Sequence, residues 1–238
     1  MYSVKRSVVP LSLLAALTFV SGVNAQTIDP PAAGTNIQSS KDQLAAQEEL
    51  LLAPSPEDKA KYEQFLKLPD TGLCKVVPRE KMQDRAIRGR GSNYSFVRLN
   101  HEYGFGSEIG LEDGKLYTSF GGDDLGFISS IGDVAIDSVD LKQPGADFLS
   151  GYTVPQDEAA AKEEQQHLLD GVEGGGYVFH RSAAANINTT YVMRAIEYGR
   201  ADVLAVFRVV GQNTDGSLTI LWRILQRNPT PQVIQSEQ

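Results

Sequence analysis

The sequence predicts an α+β fold: a mainly antiparallel β-sheet with several hairpins, an N-terminal helical pair and one further helix at about residues 156–170. Three observations predict this class. Apolar residues recur with a period of two over most of the chain after Gly72, Asp-Gly turn signals separate two pairs of such runs, and helical patterns are confined to three segments. Strand and helix patterns do not alternate regularly, which disfavours a parallel βαβ sheet.

The first 25 residues have the pattern of a cleavable secretory signal peptide. Lys5 and Arg6 form a positively charged start, residues 8–20 are almost wholly apolar, and residues 23–25 (Val-Asn-Ala) form a small-residue cleavage site. The apolar run is shorter than the roughly 20 residues that a membrane-spanning helix needs. We therefore expect an exported protein, periplasmic or extracellular, that has no stable membrane anchor after cleavage.

Two helices are predicted after a flexible linker. Residues 26–40 are rich in Pro, Ala, Gly and Ser and lack periodicity, which is typical of a linker, whereas residues 41–53 hold good helix formers. A second helix should begin after Ser55, which can cap it, because Pro56 suits the first helical position. Its apolar stripe has the spacing i, i+3, i+4 and consists of Tyr62, Phe65 and Leu66.

Most of the remaining sequence is predicted to form β-strands. The Asp-Gly pairs at 113–114 and 215–216 predict hairpins between the runs that flank them. The second hairpin carries apolar side chains on both faces, so we expect it at the centre of the sheet. The predicted strands are Leu73–Val77, Tyr94–Leu99, Ser107–Glu112, Lys115–Phe120, Phe127–Ile131, Val134–Val139, Phe148–Thr153, Tyr177–His180, Thr190–Tyr198, Asp202–Gly211 and Ser217–Gln226.

One further helix interrupts these strands. The stretch from Pro155 to Asp170 has Asp157 and Glu158 in its first turn, where acids complement the helix dipole, and Gly171 as a stop signal. No linker-like stretch divides the region after residue 40. We therefore predict a single globular domain over residues 41–228, followed by a disordered tail at 229–238.

Composition narrows the class of protein. Removal of the signal peptide takes the net charge from −8 to −10, which disfavours nucleic acid as a partner. The single cysteine, Cys74, cannot form an internal disulfide. An exported domain without disulfides must rely on its core, which indicates a bacterial envelope rather than a eukaryotic secreted protein. Cys74 itself is expected to be a small buried hydrophobe on a strand, with a nucleophilic role as the lesser alternative.

No linear motif for a catalytic, cofactor or metal site is present. The chain has no Walker A pattern, no Gly-x-Ser-x-Gly elbow and no His-Glu-x-x-His pair. The three histidines, His101, His167 and His180, lack the spacing of zinc ligands and are expected to be scattered surface residues. We therefore assign no catalytic residue, no metal ligand and no cofactor from the sequence, although a histidine general base needs no local motif.

A basic segment is the one candidate binding site. Residues 75–90 carry a net charge of +4, and their arginines are suited to bidentate binding of phosphate, sulfate or carboxylate groups. The alternative is a solvated loop that pairs with the acidic surface of the same protein. The candidate anion-binding residues are Arg79, Arg85, Arg88 and Arg90.

An acidic segment follows, with a net charge of −7 over residues 107–147. Within it, residues 121–124 (Gly-Gly-Asp-Asp) are a weak calcium-loop candidate, because no ligand register supports the six to eight oxygens that calcium needs. A turn between strands is the better interpretation.

Two functions stay open. The leading expectation is a non-enzymatic binding or envelope-associated module, whose partner would be an anionic ligand or an envelope component. The alternative is an exported hydrolase that uses carboxylates of the 107–147 segment, with Glu102 as a further candidate, because paired carboxylates can perform acid–base chemistry without a linear motif.

Overall fold

The computed structural model describes residues 50–83, 91–122 and 124–232, together with Ser40, Asp42, Gln43, Ala46 and Gln47. The predicted signal peptide and almost all of the predicted linker lie outside these residues, so both stay predictions. Of the predicted tail, residues 229–232 are described, and the Pro231 carbonyl accepts a hydrogen bond from the Gly199 N–H at 2.8 Å.

A five-stranded antiparallel sheet forms the centre of the domain. Its order is β1–β12–β11–β10–β6, so the first and last of the described strands are neighbours. The predicted hairpin at 215–216 joins β11 to β12 in the interior of this sheet, which confirms its central position. The strands are β1 (Thr71–Val76), β6 (Leu125–Gly132), β10 (Thr190–Glu197), β11 (Ala201–Gln212) and β12 (Leu218–Arg227).

Seven short strands form three smaller sheets beside the central one. The hairpin predicted at 113–114 joins β4 to β5, and Asp113 and Gly114 have φ values of 48° and 71°, as a type I′ turn requires. Strand β9 adds to the other edge of β5. The strands are β2 (Asn93–Ser95), β3 (Asn100–Glu102), β4 (Gly110–Glu112), β5 (Lys115–Tyr117), β7 (Val172–Gly174), β8 (Tyr177–Phe179) and β9 (Ser182–Ala184).

The helices confirm the predicted α+β class. The described residues between 40 and 52 are helical, and the Ser55 side chain caps α1 by accepting the Asp58 N–H at 3.0 Å. Helix α4 is the predicted third helix, capped by Asp157 and ended by Gly171. The helices are α1 (Pro56–Lys61), α2 (Arg79–Gln83), α3 (Pro144–Gly151) and α4 (Glu158–Asp170).

Three strand predictions are wrong in whole or in part. The segment 148–153 lies largely in α3, because Pro144 occupies the first turn and the Gln143 side chain caps the helix by accepting the Ala146 N–H at 2.9 Å. The segment 134–139 contains a 3₁₀ turn at Ile136–Ser138. Strand β2 ends at Ser95, whose hydroxyl accepts the Arg98 N–H and turns the chain, so most of 94–99 is not a strand.

The two faces of the central sheet pack against different layers. Odd-numbered residues of β11, such as Phe207, face the small sheets and form the larger core with Tyr191, whose ring stacks on Phe207 at 5.0 Å. Even-numbered residues such as Leu204 face α3 and α4. This alternation agrees with the two covered faces that the sequence predicts for the last hairpin.

The single tryptophan packs closely against a glycine on the paired strand. Gly72 of β1 pairs with Trp222 of β12, and a Cβ atom at Gly72 would lie 2.2 Å from the indole carbon Cζ2. Only glycine therefore fits beside this indole. The Trp222 ring also contacts the Phe96 ring at 5.0 Å between centroids, which links the central sheet to the layer that carries β2.

A buried ion pair crosses β10 and β11. The Arg194 guanidinium donates to both carboxylate oxygens of Asp202, at 2.7 and 2.6 Å, and both side chains are almost wholly buried. Arg194 also donates to the carbonyl oxygens of Leu149 and Tyr152, at 2.6 and 2.9 Å, so it fastens the end of α3 to the sheet. The Asn228 amide completes the pair by donating to Asp202 at 3.0 Å.

Candidate functional site

An open cleft of about 420 Å³ lies among the small strands. Its walls come from the start of α2, from the hairpin β4–β5 and from the loops around residues 103–105, 119–120 and 181. Two cations and one acid line it, namely Arg79, Arg181 and Glu112. Four aromatic side chains also line it: Tyr103, Phe105, Tyr117 and Phe120.

The two arginines of the cleft are held differently. Arg79 lies 3.5 Å from both carboxylate oxygens of Glu112, and both side chains are largely exposed. Such a long, exposed pair contributes at most about 1 kcal/mol, so Arg79 can exchange Glu112 for another anion. Arg181 is half-buried, and its Nη2 donates to the Ser119 carbonyl at 3.0 Å, which fixes one edge of its guanidinium.

The aromatic wall of the cleft is unusually open to solvent. Tyr103 is 66 % exposed and Phe105 is 62 % exposed, although both are large aromatic side chains. The guanidinium of Arg200 lies over the Phe105 ring, with Cζ 5.0 Å from its centroid. Exposed aromatic rings beside cations can stack on a flat ligand group while an arginine binds its charge.

The predicted anion-binding set is only partly within the described residues. Arg79 lies in the cleft, whereas Arg85, Arg88 and Arg90 fall outside the described part of the chain. Sequence reasoning missed Arg181, which follows the predicted strand 177–180. The pairing of β5 with β9 brings Arg181 to the cleft, and nothing local in the sequence signals this contact.

Three buried carboxyl groups lie beside the cleft: Glu108, Asp124 and Glu197, which are 1 %, 5 % and 2 % exposed. The Glu108 carboxylate accepts the Phe96 N–H at 2.5 Å, yet burial raises its pKa above the ordinary value. The Asp124 carboxylate accepts the Gly121 N–H at 2.6 Å. Ser119, which lines the cleft, donates its hydroxyl to the backbone carbonyl of Asp124 at 2.6 Å.

Glu197 is the exception among these acids, because neither of its carboxyl oxygens has a hydrogen-bond partner in the described structure. Burial raises its pKa from 4.5 to about 8, and the negative charges of Asp124 and Glu108 add to the rise. The Gly106 N–H and the Arg200 guanidinium oppose it more weakly. Glu197 is therefore largely protonated and neutral at neutral pH.

Two hydroxyl groups near these acids are also buried without partners among the described residues. They belong to Ser107, next to Glu108, and to Thr118, next to Ser119. Buried polar groups without partners are uncommon in native proteins. This region therefore combines an uncharged acid with two hydroxyl groups that have no partner among the described residues.

Residues 121–124, the weak calcium-loop candidate for which a turn is the preferred interpretation, are described except for Asp123. The Asp124 carboxylate closes a turn onto Gly121 instead of facing outward. Within the described ranges, no three His, Cys, Asp or Glu side chains form a group that could hold a metal ion.

The histidines and the cysteine are placed as follows. His101 is buried rather than on the surface, with Nε2 at 2.7 Å from the Lys75 carbonyl, so the surface prediction is wrong for this residue. His167 is exposed on α4 beside Glu164, and His180 is half-buried. Cys74 is 1 % exposed and burial raises the pKa of its thiol, which supports the core interpretation over the nucleophilic one.

Glu102, the further hydrolase candidate, lies on the surface of β3. Its carboxylate accepts hydrogen bonds from Arg98 at 3.4 Å and Asn100 at 3.1 Å. The structure does not bring it into the group of buried acids.

Comparison with protein-family models, with curated proteins and with solved structures finds no match for this chain. Among the described residues, no helix is both long enough and apolar enough to cross a membrane. The function is therefore argued from the cleft itself.

Proposed function

We propose that this protein is an exported binding module whose cleft holds an anionic ligand with a flat ring. One observation carries the proposal: Arg79 and Arg181 line the same cleft as four aromatic side chains. A guanidinium binds a phosphate or carboxylate group through paired hydrogen bonds, and an aromatic wall binds the ring. The volume of about 420 Å³ suits a small molecule or one terminal group of a larger envelope component.

Phenyl phosphate is a suitable probe, because it joins a phosphate group to a ring. We expect it to bind more tightly than inorganic phosphate or phenol alone, and we expect Arg181→Gln to weaken its binding about tenfold, since a charged hydrogen bond is worth about 1.5–3 kcal/mol. Binding is measured by calorimetry on the domain from residue 26 onward. Chemical shift changes in labelled protein locate the probe.

The matched control for this prediction is Arg227→Gln. Arg227 is also a partly exposed arginine in an ion pair, with Asp70 at 2.9 Å, but it lies outside the cleft. Equal effects of the two substitutions, or shift changes remote from Gly104 and Gly110, would count against the proposed site.

A hydrolase is the second candidate, and the neutral Glu197 favours it. A carboxylic acid with a pKa of about 8 can donate a proton at neutral pH, as a general acid must. However, Glu197, Glu108 and Asp124 are all buried, and Glu112 is the acid that lines the cleft itself. The binding role therefore ranks first. Appearance of inorganic phosphate during the incubations with phenyl phosphate would reverse that order.

Export is part of the same proposal and has a direct test. Expressed at full length in a bacterial host, the protein should be recovered from the periplasm or medium with Gln26 as its first residue, because signal peptidase cuts after a small-residue site. N-terminal sequencing measures this. An intact Met1 on a protein that stays inside the cells would contradict export.

A further inference from the structure

We propose that Glu197 acts as a proton-controlled latch beneath one wall of the cleft. While its carboxyl group is neutral, the segment 103–107 stays closed over it, and loss of the proton releases that segment. This inference does not depend on the ligand of the cleft, because it rests on the surroundings of one buried side chain.

The position of Glu197 makes a charge there unfavourable. In the ladder between β10 and β6, Ile196 pairs with Leu125, so Glu197 comes next to Asp124 at the end of that ladder. Like charges that face each other across two strands repel. The Glu197 side chain is 2 % exposed, and its two oxygens have no hydrogen-bond partner among the described residues, so its anion would be only weakly stabilised there.

The charged groups around Glu197 come from three elements. Glu108 precedes β4 and Asp124 precedes β6, and both add negative charge. Arg200, in the turn between β10 and β11, is the cation that acts on Glu197 most directly, but its guanidinium lies over the Phe105 ring. The Arg98 guanidinium lies beside Gly106 and pairs with Glu102. A negative charge on Glu197, in addition to those of Glu108 and Asp124, would therefore be poorly balanced by the nearby arginines.

The segment 103–107 is the part of the structure around Glu197 that we expect to move. Residues 103–106 (Tyr-Gly-Phe-Gly) belong to no strand or helix, and Tyr103 and Phe105 are mostly exposed, so moving these two side chains loses little buried surface. A hydrogen bond from the Ser107 N–H to the Gly104 carbonyl, at 3.0 Å, closes the turn. The Gly106 N–H lies close enough to the Glu197 carboxyl group to lower its pKa, although its geometry falls short of a regular hydrogen bond. Because Gly104 and Phe105 line the cleft, release of this segment reshapes the cleft.

Hydrogen–deuterium exchange of the whole domain tests the latch. Wild type and Glu197→Gln are compared at the same pH, so that the intrinsic dependence of exchange on pH cancels. We expect peptides that cover 103–107 to exchange at equal rates at about pH 6, and about 10- to 100-fold faster in the wild type at about pH 9. Peptides from α4 should show no such difference.

Glu173→Gln is the matched control, because Glu173 is an exposed acid on β7. If it reproduces the effect, or if the ratio for 103–107 does not change with pH, the latch is refuted. A second measurement needs no variant: the side-chain carboxyl carbon of Glu197 is followed by NMR in the wild type. A midpoint above about pH 7 supports the latch, and a midpoint near the ordinary glutamate value of about 4.3 overturns it.

Discussion

Replacing Arg194 with methionine should lower the free energy of unfolding by about 3–5 kcal/mol, because it leaves a buried carboxylate without its cation. The Asp202 carboxylate is almost wholly buried and would keep only the Asn228 amide as a side-chain donor. The Leu149 and Tyr152 carbonyls would also lose the Arg194 guanidinium. The loss should therefore extend from the sheet to the end of α3.

Urea unfolding of the domain measures this loss, and Arg227→Met is the matched control. Arg227 and Asp70 form an exposed pair at 2.9 Å, and breaking it should change stability by no more than about 1 kcal/mol. The double variant Arg194→Met, Asp202→Asn should lose less free energy of unfolding than the sum of the two single variants, because it leaves no unpaired charge in the protein interior. Similar losses for Arg194→Met and Arg227→Met would show that the buried pair contributes no more than a surface pair.

The stability of the wild type should fall as the pH rises through the range in which Glu197 is charged in the unfolded chain but still neutral in the folded protein. The pKa of Glu197 is about 8 in the folded protein and about 4.5 when unfolded, so the folded state binds the extra proton between these values. Linkage then requires stability to decrease from about pH 4.5 to about pH 8 and to level off above. One pKa unit corresponds to about 1.4 kcal/mol, so a shift of this size contributes at most about 5 kcal/mol.

Glu197→Gln isolates that contribution. The variant should match the wild type at about pH 4, where the glutamic acid is neutral in both the folded and the unfolded state, and should be more stable by up to about 5 kcal/mol at about pH 9. The buried Glu108, whose pKa is also raised, contributes in the same direction to both proteins and cancels in the difference. Parallel stability curves for the two proteins would mean that Glu197 titrates normally.

The fold was largely predictable because its main signals are local. The Asp-Gly pairs at 113–114 and 215–216 identified both hairpins, and the alternation of apolar residues in β11 and β12 identified a central pair with two covered faces. The prediction failed at 148–153, where the apolar content of a short run does not separate a strand from a buried helix. The Gln143 cap and Pro144 decide that case in favour of the helix.

The candidate site was much less predictable, because its parts meet only through tertiary structure. Arg79 was identified from a basic run, but its companion Arg181 comes from a distant loop that strand pairing carries to the cleft. Glu197 did carry a signal. It continues the alternation of Tyr191, Met193 and Ala195, all of which face the core, so the pattern places a carboxyl group on the buried side of β10.

The pairing of β1 with β12 also has a consequence for the order in which the chain is made. Strand β1 has β12 as its partner in the central sheet, yet Leu218–Arg227 is the last of the described strands to be synthesised. The central sheet therefore cannot close until residue 227 has left the ribosome. Such distant pairings slow folding, so the new chain remains unfolded for longer after synthesis begins.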